Sequence, residues 1–280
     1  MTDRREFLKT MGAAGLAGAG LAAAGCSAAA AGRRLDRIGV QLYTVRSQMA
    51  DSVEQSLERV AQVGYDEVEF AGYFGRSPQQ IRALLDGAGL SAPSAHMSLE
   101  ALENDWDGSV DLAGTIGHQY LVVASIAPEN RTTLDDYRRM GDRFNAVGER
   151  AQTAGLTFAY HNHAFEFEPL EGQVPWDVLL QATDPALVKI ELDLYWITVG
   201  GGDATAMLQA HAGRFHLVHV KDMAADRSMA AVGAGTLDFA AMFALREQAG
   251  IQHYFVEHDN PDDPFASIAA SHDYLRSLAF

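Results

Sequence analysis

Short runs of β-branched and aromatic residues alternate with longer, helix-like stretches from Leu35 to the end of the chain. In the longer stretches, apolar residues recur every three or four positions, which indicates amphipathic helices. The stretch "SVEQSLERVAQVG", for example, places Val53, Leu57 and Val60 on one face and ends at Gly64, a residue typical of helix ends. The eight short runs predict strands at 37–45, 65–72, 90–98, 119–126, 156–163, 187–196, 214–222 and 251–259.

Each predicted strand is followed by a predicted helix, and this alternation is typical of parallel βαβ units. Eight such units in a domain at 33–280 predict an α/β fold, a single-domain (β/α)8 TIM barrel. The competing topology, a doubly wound open sheet, normally carries a glycine-rich phosphate turn after its first strand. The corresponding segment "GVQLYTVRSQ" has no G-x-G-x-x-G pattern, so we do not expect dinucleotide binding.

Charge and cysteine content narrow the possible partners. The chain has 280 residues, a formal net charge of −16 and one cysteine. An acidic surface repels phosphate backbones, so we expect no nucleic acid partner. The single cysteine excludes an internal disulfide framework.

Residues 1–32 have the features of a twin-arginine signal peptide rather than of a folded domain. The pair Arg4-Arg5 precedes an apolar stretch, 11–25, that is too short to span a bilayer easily. The sequence "LAAAGC" resembles a bacterial lipobox, which would make Cys26 a lipidation site. Cleavage in the alanine run after Cys26 is the alternative. Both alternatives predict export to the periplasm, with the membrane contacted only through a possible lipid.

Polar residues gather where the last four predicted strands end. In a barrel of parallel strands these ends meet at one mouth. Period-2 alternation then allows His161, Asp193, His219 and Glu257 to converge on one point. Imidazole with carboxylate suits one divalent ion (Mn, Fe, Co or Zn, with Mg less favoured), and the absence of thiolates argues against a closed structural zinc site.

A set of segments carries a resemblance to a known family: "QLYTVR", "AHMS", "YHNHAFEF", "ELDLYW", "HVKD", "VGAGTLDF" and "VEHD". As a set they resemble the sugar phosphate isomerase/epimerase-like superfamily, also called the xylose isomerase-like TIM barrels. The resemblance implies one divalent metal, held in the epimerases by Glu, Asp, His and Glu from strands 5 to 8. Asp193, His219 and Glu257 match, whereas His161 stands where a glutamate is expected. The two-base epimerisation of those relatives therefore needs a substitute base here.

The resemblance and the strand ends together suggest roles for further residues. Glu257, Lys221 and His163 are candidate catalytic groups. Lys221 either stabilises an oxyanion or transfers a proton, or it only pairs with Asp222. The candidate substrate-binding residues are Tyr43, Glu69, His96, Glu166 and Trp196.

These groups predict a metal-dependent sugar isomerase or epimerase that removes a proton next to a carbonyl and passes through an enediolate. Two alternatives stay open: a lyase or hydratase acting by β-elimination on a 3-keto sugar or 3-keto glycoside, and a non-catalytic sugar-binding lipoprotein. A nuclease would need more metal ligands and a basic groove, which the acidic charge opposes.

Overall fold

The computed structural model describes residues 32–280. The predicted signal segment, with Arg4, Arg5 and Cys26, lies outside these residues, so export and lipidation stay predictions. Within 32–280, no helix combines the length and the apolar character needed to cross a bilayer.

Eight parallel strands form a closed barrel, which confirms the predicted fold class. Neighbouring strands along the chain pair with each other, and the last strand returns to the first through Gly39 opposite Phe255. The strands are β1 Gly39–Gln41, β2 Glu67–Phe70, β3 Ser91–Met97, β4 Tyr120–Val123, β5 Thr157–His161, β6 Val188–Asp193, β7 Phe215–Val220 and β8 His253–Val256.

Helices follow the strands. They are α1 Arg46–Asp51, α2 Val53–Val63, α3 Pro78–Ala88, α4 Leu99–Asn104, α5 Trp106–Ile116, α6 Leu134–Thr153, α7 Pro175–Ala182, α8 Leu194–Val199, α9 Ala204–Ala210, α10 Phe239–Phe243, α11 Arg246–Ala249 and α12 Pro264–Ser277. A small antiparallel hairpin, Asp222–Met223 with Met229–Ala230, follows β7.

Local sequence sets most helix boundaries. Ser77 caps α3 by accepting the amide of Gln80, with Pro78 in the first turn, as predicted. Thr133 caps α6, and Gly64 ends α2 with φ at +113°, a conformation that costs glycine little.

All eight strands end one to four residues earlier than predicted, and in two of them a polar side chain turns the backbone. The side chain of Gln41 accepts the amide of Tyr43, so β1 gives way to a 3-10 turn at Leu42–Val45. Asp193 caps α8, so β6 ends there rather than at Trp196. Tyr43 and Trp196 therefore lie on the segments that surround the mouth of the barrel, not on strands.

The barrel interior has an apolar layer below a polar one. Leu217 and Phe255 belong to a small buried apolar cluster, and the next residues of the same strand parity, His219 and Glu257, are also buried. A second, larger apolar core packs the outside of the strands against the helices. At the amino-terminal end, buried Glu67 pairs with Arg37 and His253. The larger group of buried charges lies at the carboxyl-terminal end, where it needs partners.

His118 gives the fold a defined response to acid. Its ring is only 3% exposed and lies between the hydroxyl of Tyr73 and the carbonyl of Ala92. Burial lowers the pKa of His118 from 6.5 to about 4. Between pH 6.5 and 4 the imidazole therefore binds a proton in the unfolded chain but not in the folded protein. The free energy of unfolding falls as pH decreases through this range.

We expect His118→Gln to remove about one proton from the pH dependence of unfolding in this window. The wild-type protein should lose up to about 3 kcal/mol through this group between pH 6.5 and 4. Urea unfolding at stepped pH measures the slope. Tyr73→Phe is the control, because it weakens the same contact but keeps the buried imidazole, so its slope should match that of the wild type. An unchanged slope in His118→Gln would show that His118 does not cause the acid sensitivity.

Candidate functional site

The four predicted ligands meet at the mouth of the barrel. Three lie on β5, β6 and β7, and the fourth is the residue that follows β8. His161, Asp193, His219 and Glu257 are all buried, and each offers one ligand atom within 4.8 Å of the others. His161 Nε2 lies 3.2 Å from Asp193 Oδ2, and His219 Nδ1 lies 2.8 Å from Glu257 Oε2. His219 Nδ1 is buried without a hydrogen bond. A mixed nitrogen and carboxylate set with an unsatisfied imidazole nitrogen fits a divalent ion.

The chain orients His161 through its backbone neighbours. Nδ1 of His161 faces the carbonyl of Ala124 at 3.0 Å and therefore carries the ring proton, which leaves the Nε2 lone pair directed to the centre. Asn162 is fully buried and joins β5 to β6: its Oδ1 accepts the amide of Asp193 at 2.8 Å. The middle residue of "HNH" thus holds two ligand-bearing strands in register.

The two carboxylate oxygens of Asp193 have different partners, one in the backbone of α8 and one in the side chains of the site. Oδ1 accepts the amides of Tyr195 and Trp196, which begins α8. Oδ2 faces His161 and Lys221. Burial by itself raises the pKa of Asp193, but Lys221 and His161 outweigh it and hold the pKa well below its usual value. Helix capping therefore fixes the direction in which this carboxylate offers its free oxygen.

Lys221 pairs with three carboxylates, and the alternative that it only pairs with Asp222 is wrong. Its Nζ lies 3.1 Å from Asp193 Oδ2, 2.8 Å from Glu257 Oε2 and 2.8 Å from Asp259 Oδ1. Burial disfavours the ammonium, yet the three carboxylates raise the pKa of Lys221. Nζ donates a hydrogen bond to Asp259 and lies at ion-pair distance from Asp193 and Glu257. In this arrangement Lys221 holds the three carboxylates together.

Asp222, next in the chain, has a structural task. Its Oδ2 accepts the amides of Gly233 and Gly235, and its Oδ1 accepts those of Met223 and Leu237. The carboxylate thereby closes the loop after β7.

A second polar layer lies deeper in the barrel. Glu69 of β2, His96 of β3 and Glu191 of β6 approach the other nitrogen of His219, and again each side chain offers one ligand atom within 4.8 Å of the others. Glu69 is fully buried and does not line the cavity at the mouth, so the predicted contact between Glu69 and substrate is not what the structure shows. Glu191 was not predicted as a site residue, although its period-2 relation to Asp193 places both on one face.

A cavity of about 320 Å³ opens above the metal ligands. His163 and Tyr43 form part of its wall together with His96, Lys221 and Asp259. Neither ring nitrogen of His163 makes a hydrogen bond within residues 32–280, and Nδ1 is buried. Burial and, to a smaller extent, His161 lower the pKa of His163 to about 3, so the ring is neutral at physiological pH.

Two further predicted substrate residues do not line this cavity. Glu166 is fully buried, and it accepts the backbone amide of His163 at 2.9 Å and the hydroxyl of Tyr160 at 2.5 Å. Trp196 lies with its ring 5.8 Å from that of His163. Glu166 therefore holds the backbone of His163, and Trp196 lies beside its ring, whereas Tyr43 and His96 line the cavity.

Comparison with known proteins agrees with this geometry. The family model described as xylose isomerase-like TIM barrel matches residues 57–278. The chain belongs to the xylose isomerase-like TIM barrel family. Within residues 32–280, two groups of His, Asp and Glu side chains could each hold a metal ion.

Individual members of the family show the range of likeness. An inosose dehydratase of Geobacillus kaustophilus is 25% identical over 231 residues, which cover 68% of this chain and 74% of that protein. The crystal structure of a sugar phosphate isomerase/epimerase from Parabacteroides distasonis is 26% identical with a TM-score of 0.78, covering 90% of this chain and 96% of that one. The zinc-containing structure of IOLI protein shares the fold at 15% identity, with a TM-score of 0.68 and coverage of 87% and 99%.

Lys221→Met tests whether the ammonium holds the carboxylates in place. With a chelator present, we expect the free energy of unfolding to fall by about 3–5 kcal/mol, because two buried carboxylates, Asp193 and Glu257, and the partly exposed Asp259 lose their counter-charge. Saturating Mn²⁺ should reduce this loss, since a cation that binds the folded site stabilises it. Urea unfolding with and without Mn²⁺ measures both quantities.

Lys189→Met is the matched control, because Lys189 donates to the backbone carbonyl of Pro185 and lies outside the site. Its loss should stay below about 1 kcal/mol and should not respond to metal. Equal effects of the two substitutions would contradict the role assigned to Lys221.

Proposed function

We propose that this protein is a divalent-metal-dependent lyase that removes a proton next to the carbonyl of a keto sugar and expels an oxygen substituent from the following carbon. One observation carries the proposal. Among the histidine, carboxylate and ammonium groups that line the cavity within residues 32–280, His163 is the one whose ring makes no hydrogen bond or ion pair. The ring is neutral and has a free nitrogen beside the metal site, so it can accept a proton from substrate. Because burial makes this imidazole a weak base, the step also needs a metal-polarised carbonyl that acidifies the neighbouring carbon.

His163 can serve both halves of a β-elimination. A divalent ion at His161, Asp193, His219 and Glu257 would polarise the sugar carbonyl and favour negative charge on its oxygen. The imidazole takes the proton from the carbon next to the carbonyl, and that C–H electron pair becomes the new C=C bond. The C–O bond at the β-carbon breaks, and the imidazolium returns its proton to the departing oxygen. The products are an unsaturated ketone and water or an alcohol, and His163 ends neutral.

Two-base epimerisation is less well supported by the same contacts. It needs a second base on the opposite face of the substrate carbon. Glu257 is held by Lys221 and His219, and Lys221 is held by three carboxylates. His161, which replaces the expected glutamate, uses Nδ1 on the carbonyl of Ala124 and directs Nε2 to Asp193. Each of these groups is engaged in positioning the metal site.

The names of similar proteins also support an elimination reaction. A dehydratase eliminates water, and the relative from Geobacillus kaustophilus is named as one that acts on inosose. An isomerase is the second candidate, because a single base can also return the proton to the neighbouring carbon, and the relative from Parabacteroides distasonis is named an isomerase/epimerase. Both candidates act on a sugar or keto sugar.

The space beside the site favours a substrate larger than one sugar ring. A second cavity of about 450 Å³ shares His96 and Ala124 with the first. Its wall is largely apolar and includes Met97, Ile126 and Met140. A 3-keto glycoside would place its sugar at the metal site and its leaving group here, so the expelled oxygen would leave as an alcohol.

The test combines metal, substrate and one substitution. The chelator-stripped full chain, with Mn²⁺, Co²⁺, Zn²⁺ or Mg²⁺ added singly, is incubated in deuterated water with a keto-inositol and with a 3-keto glucoside, and NMR follows the products. We expect a vinyl proton and released water or alcohol, and a rate about 10²–10⁴-fold lower in His163→Gln. His211→Gln, remote from the cavity, should match the wild type.

Other products would point to other functions. Solvent deuterium at the carbon next to the carbonyl, without loss of an oxygen substituent, would favour the isomerase. Binding of sugar without any turnover would favour the non-catalytic sugar-binding protein.

We also propose that the protein is exported and anchored by lipid at Cys26, which rests on residues 1–32 alone. Cell fractionation of the full chain should place it with membranes outside the cytoplasm. Cys26→Ser should release it into the soluble exported fraction, and Arg4→Lys together with Arg5→Lys should retain it in the cytoplasm. Membrane association that survives Cys26→Ser would contradict the lipid anchor.

A further inference from the structure

His219 lies between two groups of ligand atoms. Its Nδ1 faces the outer group, with Glu257 and Asp193, whereas its Nε2 faces a deeper group formed by Glu69, His96 and Glu191. The outer group suffices for the function proposed above, and the deeper group has no part in it.

The spacing in the deeper group is that of ligands around an ion. His219 Nε2 lies 2.7 Å from Glu69 Oε2 and 3.2 Å from Glu191 Oε2. His96 Nε2 lies 3.3 Å from Glu69 Oε2 and 2.9 Å from Glu191 Oε2. Donor atoms bound to a metal at roughly 2.0–2.2 Å are about 2.9–3.5 Å apart when their bonds diverge by 90–109°. Two of these contacts, His219 with Glu69 and His96 with Glu191, are hydrogen bonds in the ion-free structure. The two nitrogens and two oxygens nevertheless alternate at distances close to those that a bound ion imposes, so an ion could replace the shared protons.

Glu69 is held in place by neighbours that are not ligands. Ser94 donates to its Oε1, and the Gln41 side-chain amide donates to its Oε2 at 2.7 Å. Hydrogen bonds of this kind orient carboxylate ligands in metal sites. Glu191, by contrast, is fully buried and its Oε1 has no hydrogen-bond partner within residues 32–280. An unpartnered carboxylate oxygen in a closed interior needs a cation or a proton.

Counter-charge is scarce at this depth. Within residues 32–280, the ion-pair partners of Glu69 and Glu191 are His96 and His219, and no arginine or lysine reaches either carboxylate. Lys221 is already shared by Asp193, Glu257 and Asp259. The five carboxylates of Glu69, Glu191, Asp193, Glu257 and Asp259 therefore face one ammonium, an excess of negative charge that favours the binding of cations at this depth.

We infer that Glu69, His96, Glu191 and His219 form a second divalent-cation site beneath the first, with the His219 ring shared between the two ions. The nitrogen and carboxylate set suits Zn, Co or Mn better than Mg or Ca. Sharing both ring nitrogens requires that His219 give up its N–H proton, which passes to solvent as the second ion binds. The cavity gives access to this layer along His96, which borders both the cavity and the deeper group.

Counting ions tests the inference without reference to activity. The chelator-stripped full chain is titrated with Zn²⁺ by calorimetry, and zinc retained after gel filtration is measured by elemental analysis. The wild-type protein should hold two ions per chain. Glu191→Gln should hold one, with one fewer proton released in weakly buffered solution. Glu166→Gln is the matched control, because Glu166 is also fully buried but belongs to neither group, and it should hold two.

The outer and deeper sites are separated by a further variant. His161→Gln should also hold one ion, because it removes an outer ligand only. A single ion in the wild-type protein, or the same count in wild type and Glu191→Gln, would overturn the inference. If Glu191→Gln did not fold by circular dichroism, the wild-type count and His96→Gln would decide in the same way. If the wild-type protein bound one ion and still catalysed the elimination, the second site would be disproved and the proposed function would be unaffected.

Discussion

Buried charge at the mouth of the barrel is the constraint around which the rest of the site is arranged. A closed parallel barrel brings eight strand ends into a narrow, water-poor space, and five carboxylates enter it. Lys221 contacts three of them, and His219 approaches carboxylates through both ring nitrogens. Without these two residues the carboxylates would repel one another at low dielectric, so the polar end of the barrel would not be stable.

Neighbouring residues fix the orientation of the side chains in this charged layer. Asp193 uses one oxygen to begin α8 and keeps the other for the centre, and Asn162 joins the strands that carry His161 and Asp193. Glu166 holds the backbone of His163 without contacting the cavity. The groups at the mouth are thus oriented by contacts that a substrate never touches, which leaves the imidazole of His163 as a reactive surface.

Family membership and site geometry bear on different questions. The family model places the chain among the xylose isomerase-like TIM barrels, whose named members include both dehydratases and isomerase/epimerases. A shared fold does not choose between these reactions. The elimination that we propose rests instead on the contacts of the cavity residues: the ring of His163 makes no hydrogen bond within residues 32–280, whereas His161, in place of the glutamate expected from the resemblance, contacts Ala124 and Asp193.

Periodicity in the sequence was enough to predict the barrel and the grouping of the four outer side chains. Alternating strand and helix patterns indicate parallel units, and period-2 spacing puts His161, Asp193, His219 and Glu257 on inward faces at strand ends. Strand ends were less predictable, since the side chains of Gln41 and Asp193 turn the backbone earlier than propensity suggests. Three features are visible only in the folded barrel: Lys221 pairs with three carboxylates rather than Asp222, Glu69 lies beneath the cavity, and Glu191 joins the deeper group. These contacts join residues far apart in the chain, and their distances depend on how the strands stagger around the closed barrel, which no local pattern records.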